Sequence, residues 1–197
     1  MMKLFNKYEL SNIHVNDPGL QRYINLNPLL VPKTTGKYSN NRFWRSKYNI
    51  VERLMNKVMV PGHRGKKHKI TSGHNTGKGI RAYNIVIDTF NIIEKKLNKN
   101  PIEVFVKAVE NAAPREEITT IEYGGAKYPQ AVEVAPQRRI DLALRYIVQG
   151  SYQKCFNKKI KIQNTLADEI MKAYNIDQGS AAIAKKLELE RQSDSSR

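Results

Sequence analysis

The sequence contains one cysteine, no long uncharged apolar run, and few acidic residues in its first 80 positions. Because Cys155 alone cannot form an internal disulfide, we expect a reducing compartment. The first residues contain no apolar stretch with the length of a signal peptide or a membrane span. We therefore expect a cytoplasmic protein without a membrane partner.

The basic charge is concentrated at the start of the chain. The 197 residues carry 34 Lys and Arg against 18 Asp and Glu, a formal net charge of +16. Residues 1–80 hold 15 basic and 3 acidic residues, which leaves net +12, whereas residues 81–197 hold 19 and 15, net +4. Such a balance favours a polyanionic partner through electrostatic steering and counterion release. The N-terminal part is thus the main candidate surface for nucleic acid.

Two segments combine this charge with features typical of RNA contacts. Residues 33–48 interleave five cations with Tyr38, Phe43, Trp44 and Tyr48 and contain no acid. Cations neutralise phosphates, and aromatic rings stack on exposed bases; the alternative is a solvated loop whose Trp44 fills the core. Residues 61–79 form a glycine-rich basic loop that could follow a phosphate backbone. The candidate cations in these segments are Lys33, Lys37, Arg42, Arg45, Lys47, Arg64, Lys66, Lys67, Lys69 and Lys78.

The second segment also has two competing interpretations. Residues 73–78 resemble a phosphate-binding loop, but the spacing is one residue short and no strand precedes it. His63, His68 and His74 could ligate a metal, yet no cysteine pair or carboxylate accompanies them. We therefore expect no metal and no cofactor.

The remaining pattern predicts a mainly α fold. Apolar residues recur at helical spacing over residues 49–60, 80–97, 101–113, 136–150, 164–174 and 181–191. The fourth of these helices either stops at Gly150 or continues to about Phe156. Asn100 should cap the helix that begins at Pro101, and Asn164 or Thr165 the fifth. We expect a bundle of about six helices over residues 49–197, preceded by an extended basic arm at residues 1–48.

A β-hairpin is predicted over residues 119–134, because Gly124-Gly125 suits a two-residue turn with positive φ at both positions. Counting outward pairs Tyr123 with Ala126, Glu122 with Lys127, and Ile121 with Tyr128. An isolated hairpin is marginal in water, so this one should rest on its own helices or on an outside surface. Part of that surface should be anionic, as indicated by Arg115, Lys127, Arg138, Arg139 and Arg145.

No catalytic arrangement is apparent, and three functional classes were compared. Acidic residues such as Glu116-Glu117 and Asp168-Glu169 are adjacent in sequence and make poor acid–base couples on a helix. A DNA-binding module would need a recognition helix, whereas the charge here lies on glycine-rich loops. An RNA-processing enzyme would need a cofactor loop or a metal cluster. The sequence favours an RNA-binding structural protein and no enzymatic activity.

Residues 101–117 and 123–145 resemble the family of the seventh protein of the small ribosomal subunit. Residues 166–170 are similar to the last long helix of that family, and residues 17–26 and 50–57 to its archaeal and eukaryotic branch. The resemblance covers nearly the whole chain and is weakest at residues 61–75. It implies a mostly helical protein with one protruding hairpin.

The resemblance also implies a function. Members bind the 3′ major domain of the small-subunit ribosomal RNA and start assembly of the subunit head. Arg115, Arg138, Arg139 and Arg145 would flank the hairpin base and face RNA. The hairpin tip would approach the exit-site tRNA and the mRNA path, and neighbouring head and platform proteins would be further partners. The tip residues are Tyr123, Gly124, Gly125 and Ala126.

Overall fold

The computed structural model describes residues 3–64, 67–68 and 73–197, and of residues 63, 64, 67 and 68 only the backbone. Within these residues the fold is mainly α with one short and one long antiparallel pair of strands, which confirms the predicted class. Six longer helices follow a four-residue α1. In chain order the helices are α1 (Pro18–Gln21), α2 (Ile50–Val58), α3 (Gly79–Leu97), α4 (Pro101–Ala112), α5 (Pro136–Cys155), α6 (Ile162–Tyr174) and α7 (Ala181–Asp194). The strands are β1 (His63–Arg64), β2 (Lys67–His68), β3 (Glu116–Tyr123) and β4 (Ala126–Glu133).

Side-chain caps explain where several helices begin. Asn49 accepts a hydrogen bond from the Val51 N–H at 2.9 Å, and Asn100 accepts one from the Ile102 N–H at 3.1 Å. These bonds satisfy backbone donors that have no partner within the helix. The predicted cap at Asn164 or Thr165 is wrong, because α6 begins at Ile162 and the Thr165 hydroxyl donates to the Ile162 carbonyl.

Helix α5 continues through Gly150 because α7 packs against it there. A Cβ on Gly150 would lie 2.6 Å from the Ala181 Cβ, at the first residue of α7. Only a residue without a side chain allows this approach, and the packing offsets the roughly 1 kcal/mol that glycine costs inside a helix. The sequence left two possible ends for this helix, Gly150 or about Phe156. The longer helix is correct, since α5 ends at Cys155.

The core lies around α4 and α6, which pack against each other and against α3, α5 and α7. Phe90, Phe105, Leu144 and Leu166 are fully buried there. In α4 apolar residues are buried on nearly all sides, as expected for a central helix.

The N-terminal segment is largely irregular, yet its apolar side chains belong to the helical core. Leu4, Leu10 and Ile13 are buried in the same cluster as the helices. Polar contacts also hold the segment: the Tyr8 hydroxyl donates to Asn91 at 3.1 Å, and Lys7 pairs with Glu94. The division of the chain at residue 48 stays a prediction.

The long hairpin has the predicted register. Tyr123 pairs with Ala126, and Gly124 and Gly125 have φ of 56° and 85°. Its strands begin three residues before the predicted start, since Glu116 already pairs with Glu133. The base packs on α7, whereas residues 121–130 are all exposed, so the outer half projects from the helices.

Candidate nucleic-acid interface

Most candidate cations in the first basic segment point into solvent. Lys33, Lys37, Arg42 and Lys47 are exposed, and none of them forms a salt bridge in the part of the chain that the structure describes. Arg45 is also exposed but lies 3.7 Å from Asp141. The segment therefore offers several charges that are not neutralised by the protein itself, as an anionic partner requires.

Aromatic rings accompany these charges and are held by one buried member. Tyr48 is 8% exposed, and Tyr38 packs edge-on against both Tyr48 and Trp44. The Lys47 ammonium lies 3.7 Å from the centre of the Trp44 ring. Trp44 is 39% exposed and Phe43 is 71% exposed. Trp44 is thus outside the core, and its ring and that of Phe43 present surfaces on which bases could stack.

The second basic segment is described in part. Lys66 and Lys69 lie outside the described residues, and of Arg64 and Lys67 the structure describes only the backbone pairing between β1 and β2. Lys78 is exposed just before α3. It lines a cavity of about 650 Å³ together with Lys33, so the fold brings cations from the two segments to one place.

Charges from α2 and α5 surround Asp141, and most of them were not identified from the sequence. Arg53 lies 3.3 Å from Asp141 and donates at 3.1 Å to the Tyr23 carbonyl. Lys57 and Arg145 line the same cleft. Burial lowers the pKa of Lys57 below its ordinary value, and only Asp141 opposes this among the strongest influences. Arg53 and Lys57, and likewise Asp141 and Arg145, are four residues apart, which places each pair on one face of its helix. The sequence does not show that these two faces meet, because this depends on the packing of α2 on α5.

The cations at the hairpin base are arranged differently. Arg138 is 54% exposed and forms a two-pronged pair with Glu117, at 2.7 and 2.9 Å. Arg139 is only 12% exposed; it donates to Asp17 at 2.8 Å and to the Pro114 carbonyl at 3.2 Å. Arg115 is exposed. The predicted contacts of these three residues with RNA stay predictions, and Arg139 has a clear structural role besides.

The outer half of the hairpin presents apolar rings and one cation to solvent. Tyr123 is 80% exposed and Tyr128 is 59% exposed. Lys127 is exposed opposite Glu122, as the register predicts, without a salt bridge among the described residues. Gly124, Gly125 and Ala126 form an exposed tip. This arrangement suits contact with a partner rather than packing on the bundle.

Two kinds of feature, a cluster of metal ligands and a membrane-spanning helix, are absent from the described residues. Across residues 3–62 and 73–197, whose side chains the structure describes, no three His, Cys, Asp or Glu side chains are grouped so that they could hold a metal ion; the side chains of His63 and His68 lie outside this description. No helix in residues 3–64, 67–68 and 73–197 has the length and apolar character that a bilayer span requires.

Comparison with known proteins agrees with this surface. The family model described as ribosomal protein S7p/S5e matches residues 20–197. The small ribosomal subunit protein uS7 of Nanoarchaeum equitans is 53% identical over 196 residues, covering 100% of this chain and 99% of that protein. The protein of the same name from Archaeoglobus fulgidus is 47% identical over 194 residues, covering 98% and 94%. A third, from Methanosphaera stadtmanae, is 46% identical over 189 residues, covering 96% and 95%.

Proposed function

Because the chain belongs to the S7p/S5e family of ribosomal proteins, we propose that it is a structural constituent of the small ribosomal subunit that binds the 3′ major domain of the ribosomal RNA. The observation that carries this proposal is the match of the family model over residues 20–197. The resemblance inferred from the sequence, including its archaeal character, is confirmed. The family is structural and not enzymatic, in agreement with the expected absence of catalysis.

The exposed cations supply the binding chemistry in this proposal. Lys33, Lys37, Arg42 and Lys47 carry charge that the described protein residues do not neutralise. Each phosphate that such a cation neutralises releases counterions and adds to affinity. Phe43 and Trp44 add surfaces for unpaired bases. The bundle would hold these groups in place while the RNA organises around them, which is the basis for a role in starting head assembly.

The hairpin has a separate role in this proposal. Its outer half is exposed from residue 121 to residue 130 and carries Lys127 with two exposed tyrosines. A projecting hairpin of this kind can contact ligands that lie beside the protein and do not touch its main RNA-binding surface. We assign the tip to the neighbourhood of the exit-site tRNA and the mRNA.

The direct test is binding to transcribed fragments of small-subunit ribosomal RNA. The purified chain should bind a 3′ major-domain transcript at least tenfold more tightly than a 5′-domain transcript of equal length, at the same moderate salt concentration. In cells the chain should co-sediment with small subunits and persist through a moderate salt wash. Equal affinity for the two transcripts would contradict assignment to the 3′ major domain.

A further inference from the structure

A cleft of about 530 Å³ lies between the first basic segment, α2 and α5. Four basic side chains line it, and one acidic side chain, Asp141, lies among them. The basic residues are Arg45, Arg53, Lys57 and Arg145.

Asp141 is already engaged by two of the four cations. Its Oδ1 lies 3.3 Å from the Arg53 guanidinium, and its Oδ2 lies 3.7 Å from that of Arg45. Arg53 is 5% exposed and is further fixed by its bond to the Tyr23 carbonyl. The single carboxylate can neutralise only one positive charge, so the cleft keeps a net charge near +3 when all four bases are protonated.

Lys57 and Arg145 provide two of the three positive charges that remain. Both are half-buried, and neither side chain makes a hydrogen bond or salt bridge with another described residue. Burial lowers the pKa of Lys57; Asp141 opposes this shift, whereas the nearby Arg145, Arg45 and Arg53 lower the pKa further. A desolvated ammonium beside three guanidinium groups is unfavourable in the isolated protein and becomes favourable when an anion enters.

We propose that this cleft receives one backbone phosphate of the ribosomal RNA, held by Lys57 and Arg145. The Arg53–Asp141 pair fixes the wall between them. A guanidinium offers paired donors to phosphate oxygens, and an ammonium adds a point charge. Because Ser39, Arg45 and Tyr48 of the basic segment line the cleft, nucleotides beside the phosphate would continue toward exposed Phe43 and Trp44. This inference rests on the proposed function and adds the residues that anchor the RNA.

The test uses Lys57→Met in the full chain, with Lys95→Met as the matched control. Lys95 is an exposed lysine in the last turn of α3 and does not line the cleft. Lys57→Met should weaken binding to the 3′ major-domain transcript by about tenfold. The log–log salt slope should become shallower by about 0.7, the value for one phosphate contact. Lys57→Arg should keep most of the affinity and the slope.

Thermal unfolding of the same variants separates a binding role from a structural one. Because the half-buried Lys57 side chain has no hydrogen bond or salt bridge among the described residues, Lys57→Met should keep or raise the melting temperature of the free protein. Inorganic phosphate, compared with chloride at equal ionic strength, should raise the melting temperature of the wild type more than that of Lys57→Met. If Lys57→Met loses the rise in melting temperature caused by phosphate but binds RNA as tightly as the wild type, the cleft binds free phosphate and the RNA assignment is overturned.

Failure of this inference differs from failure of the proposed function. If the wild type binds the transcript with a steep salt dependence and Lys57→Met binds equally well with the same slope, the cleft is not the phosphate receptor. If the wild type does not bind the transcript, both fail. If Lys57→Met lowers the melting temperature and leaves RNA affinity unchanged, Lys57 is structural and the inference is overturned.

Discussion

The Arg139 guanidinium lies 2.8 Å from the Asp17 carboxylate, which joins the first turn of α5 to the residue that caps α1. The same guanidinium donates to the Pro114 carbonyl at 3.2 Å. One arginine therefore connects three parts of the chain that are far apart in sequence. Its side chain is 12% exposed, so solvent screens the pair less than it would on the open surface.

Replacing Arg139 by Ala should destabilise the fold. The change leaves the Asp17 carboxylate and the Pro114 carbonyl without this donor. Loss of a charge-assisted hydrogen bond in a partly buried position costs about 2 kcal/mol of unfolding free energy. Urea unfolding at neutral pH measures the difference. Arg138→Ala is the matched control, because its pair with Glu117 is more exposed and should cost under about 1 kcal/mol. Equal costs for the two variants would contradict a distinct structural role for Arg139.

The contribution of the Arg139–Asp17 pair should depend on pH. Partial burial alone would raise the pKa of Asp17, but the hydrogen bonds from Arg139 and from the Gly19 N–H lower it below its ordinary value. A carboxyl whose pKa is lowered by folding stabilises the native state above its unfolded pKa, about 3.9, and loses this contribution as the pH falls through the folded pKa. The stability difference between wild type and Arg139→Ala should therefore narrow once the pH falls below about 4, toward the lowered pKa of Asp17. A constant difference would contradict the ionic part of the contact.

Gly150→Ala should also destabilise the protein, although alanine is the better helix former. The new Cβ would meet the Ala181 Cβ at 2.6 Å and Glu169 atoms at 3.3 Å. Overpacking of this kind costs about 1–3 kcal/mol. Adding Ala181→Gly to Gly150→Ala should restore part of the loss. Gly73→Ala, where no atom of the described residues lies within 4 Å of the new Cβ, should leave the melting temperature unchanged. A stabilised Gly150→Ala protein would show that α5 and α7 are less closely packed than described.

The hairpin could be predicted in register from sequence because the turn itself specifies the pairing. Two adjacent glycines allow positive φ at both turn positions, and every pair outward from Tyr123 and Ala126 then follows. The start of the first strand could not be predicted from the sequence in the same way. Glu116 joins the strand where the base of the hairpin packs on α7, and this packing depends on residues more than 60 positions later.

The candidate interface was predictable only in part, for a related reason. Charge density identifies a basic segment but does not show where each side chain points. Arg138 and Arg139 are neighbours in sequence, yet one is exposed and the other is held by Asp17. The cleft around Asp141 combines residues about 90 positions apart, which helical periodicity places on a face without identifying the opposite helix.

A shortened hairpin should keep the helical fold. Removing residues 120–123 and 126–129 deletes four residues from each strand and leaves Gly124-Gly125 joining Thr119 to Gln130, which are already paired. Because residues 121–130 are exposed, the core loses almost no contacts. Helical circular dichroism and affinity for the 3′ major-domain transcript should be nearly unchanged, while crosslinking of the subunit to exit-site tRNA should fall. Loss of helical signal would contradict the projecting arrangement.

Phe43→Ala should weaken RNA binding without weakening the fold. The ring is 71% exposed, so its removal costs little packing in the folded protein. If a base stacks on the ring, its removal should weaken the binding free energy by about 1–3 kcal/mol. Affinity for the transcript and the melting temperature are measured on the same protein. Tyr48→Ala is the contrasting variant, because that ring is 8% exposed and its removal should lower the melting temperature. A lower melting temperature with full RNA affinity in Phe43→Ala would contradict a stacking role.

The salt dependence of binding to the 3′ major-domain transcript tests the central claim, which is that cations not neutralised by the protein bind the ribosomal RNA backbone. With about 8 phosphate contacts, at about 0.7 per contact for non-duplex RNA, the slope of log affinity against log salt should approach about −6. A slope near zero, with the protein still folded and bound, would contradict the account.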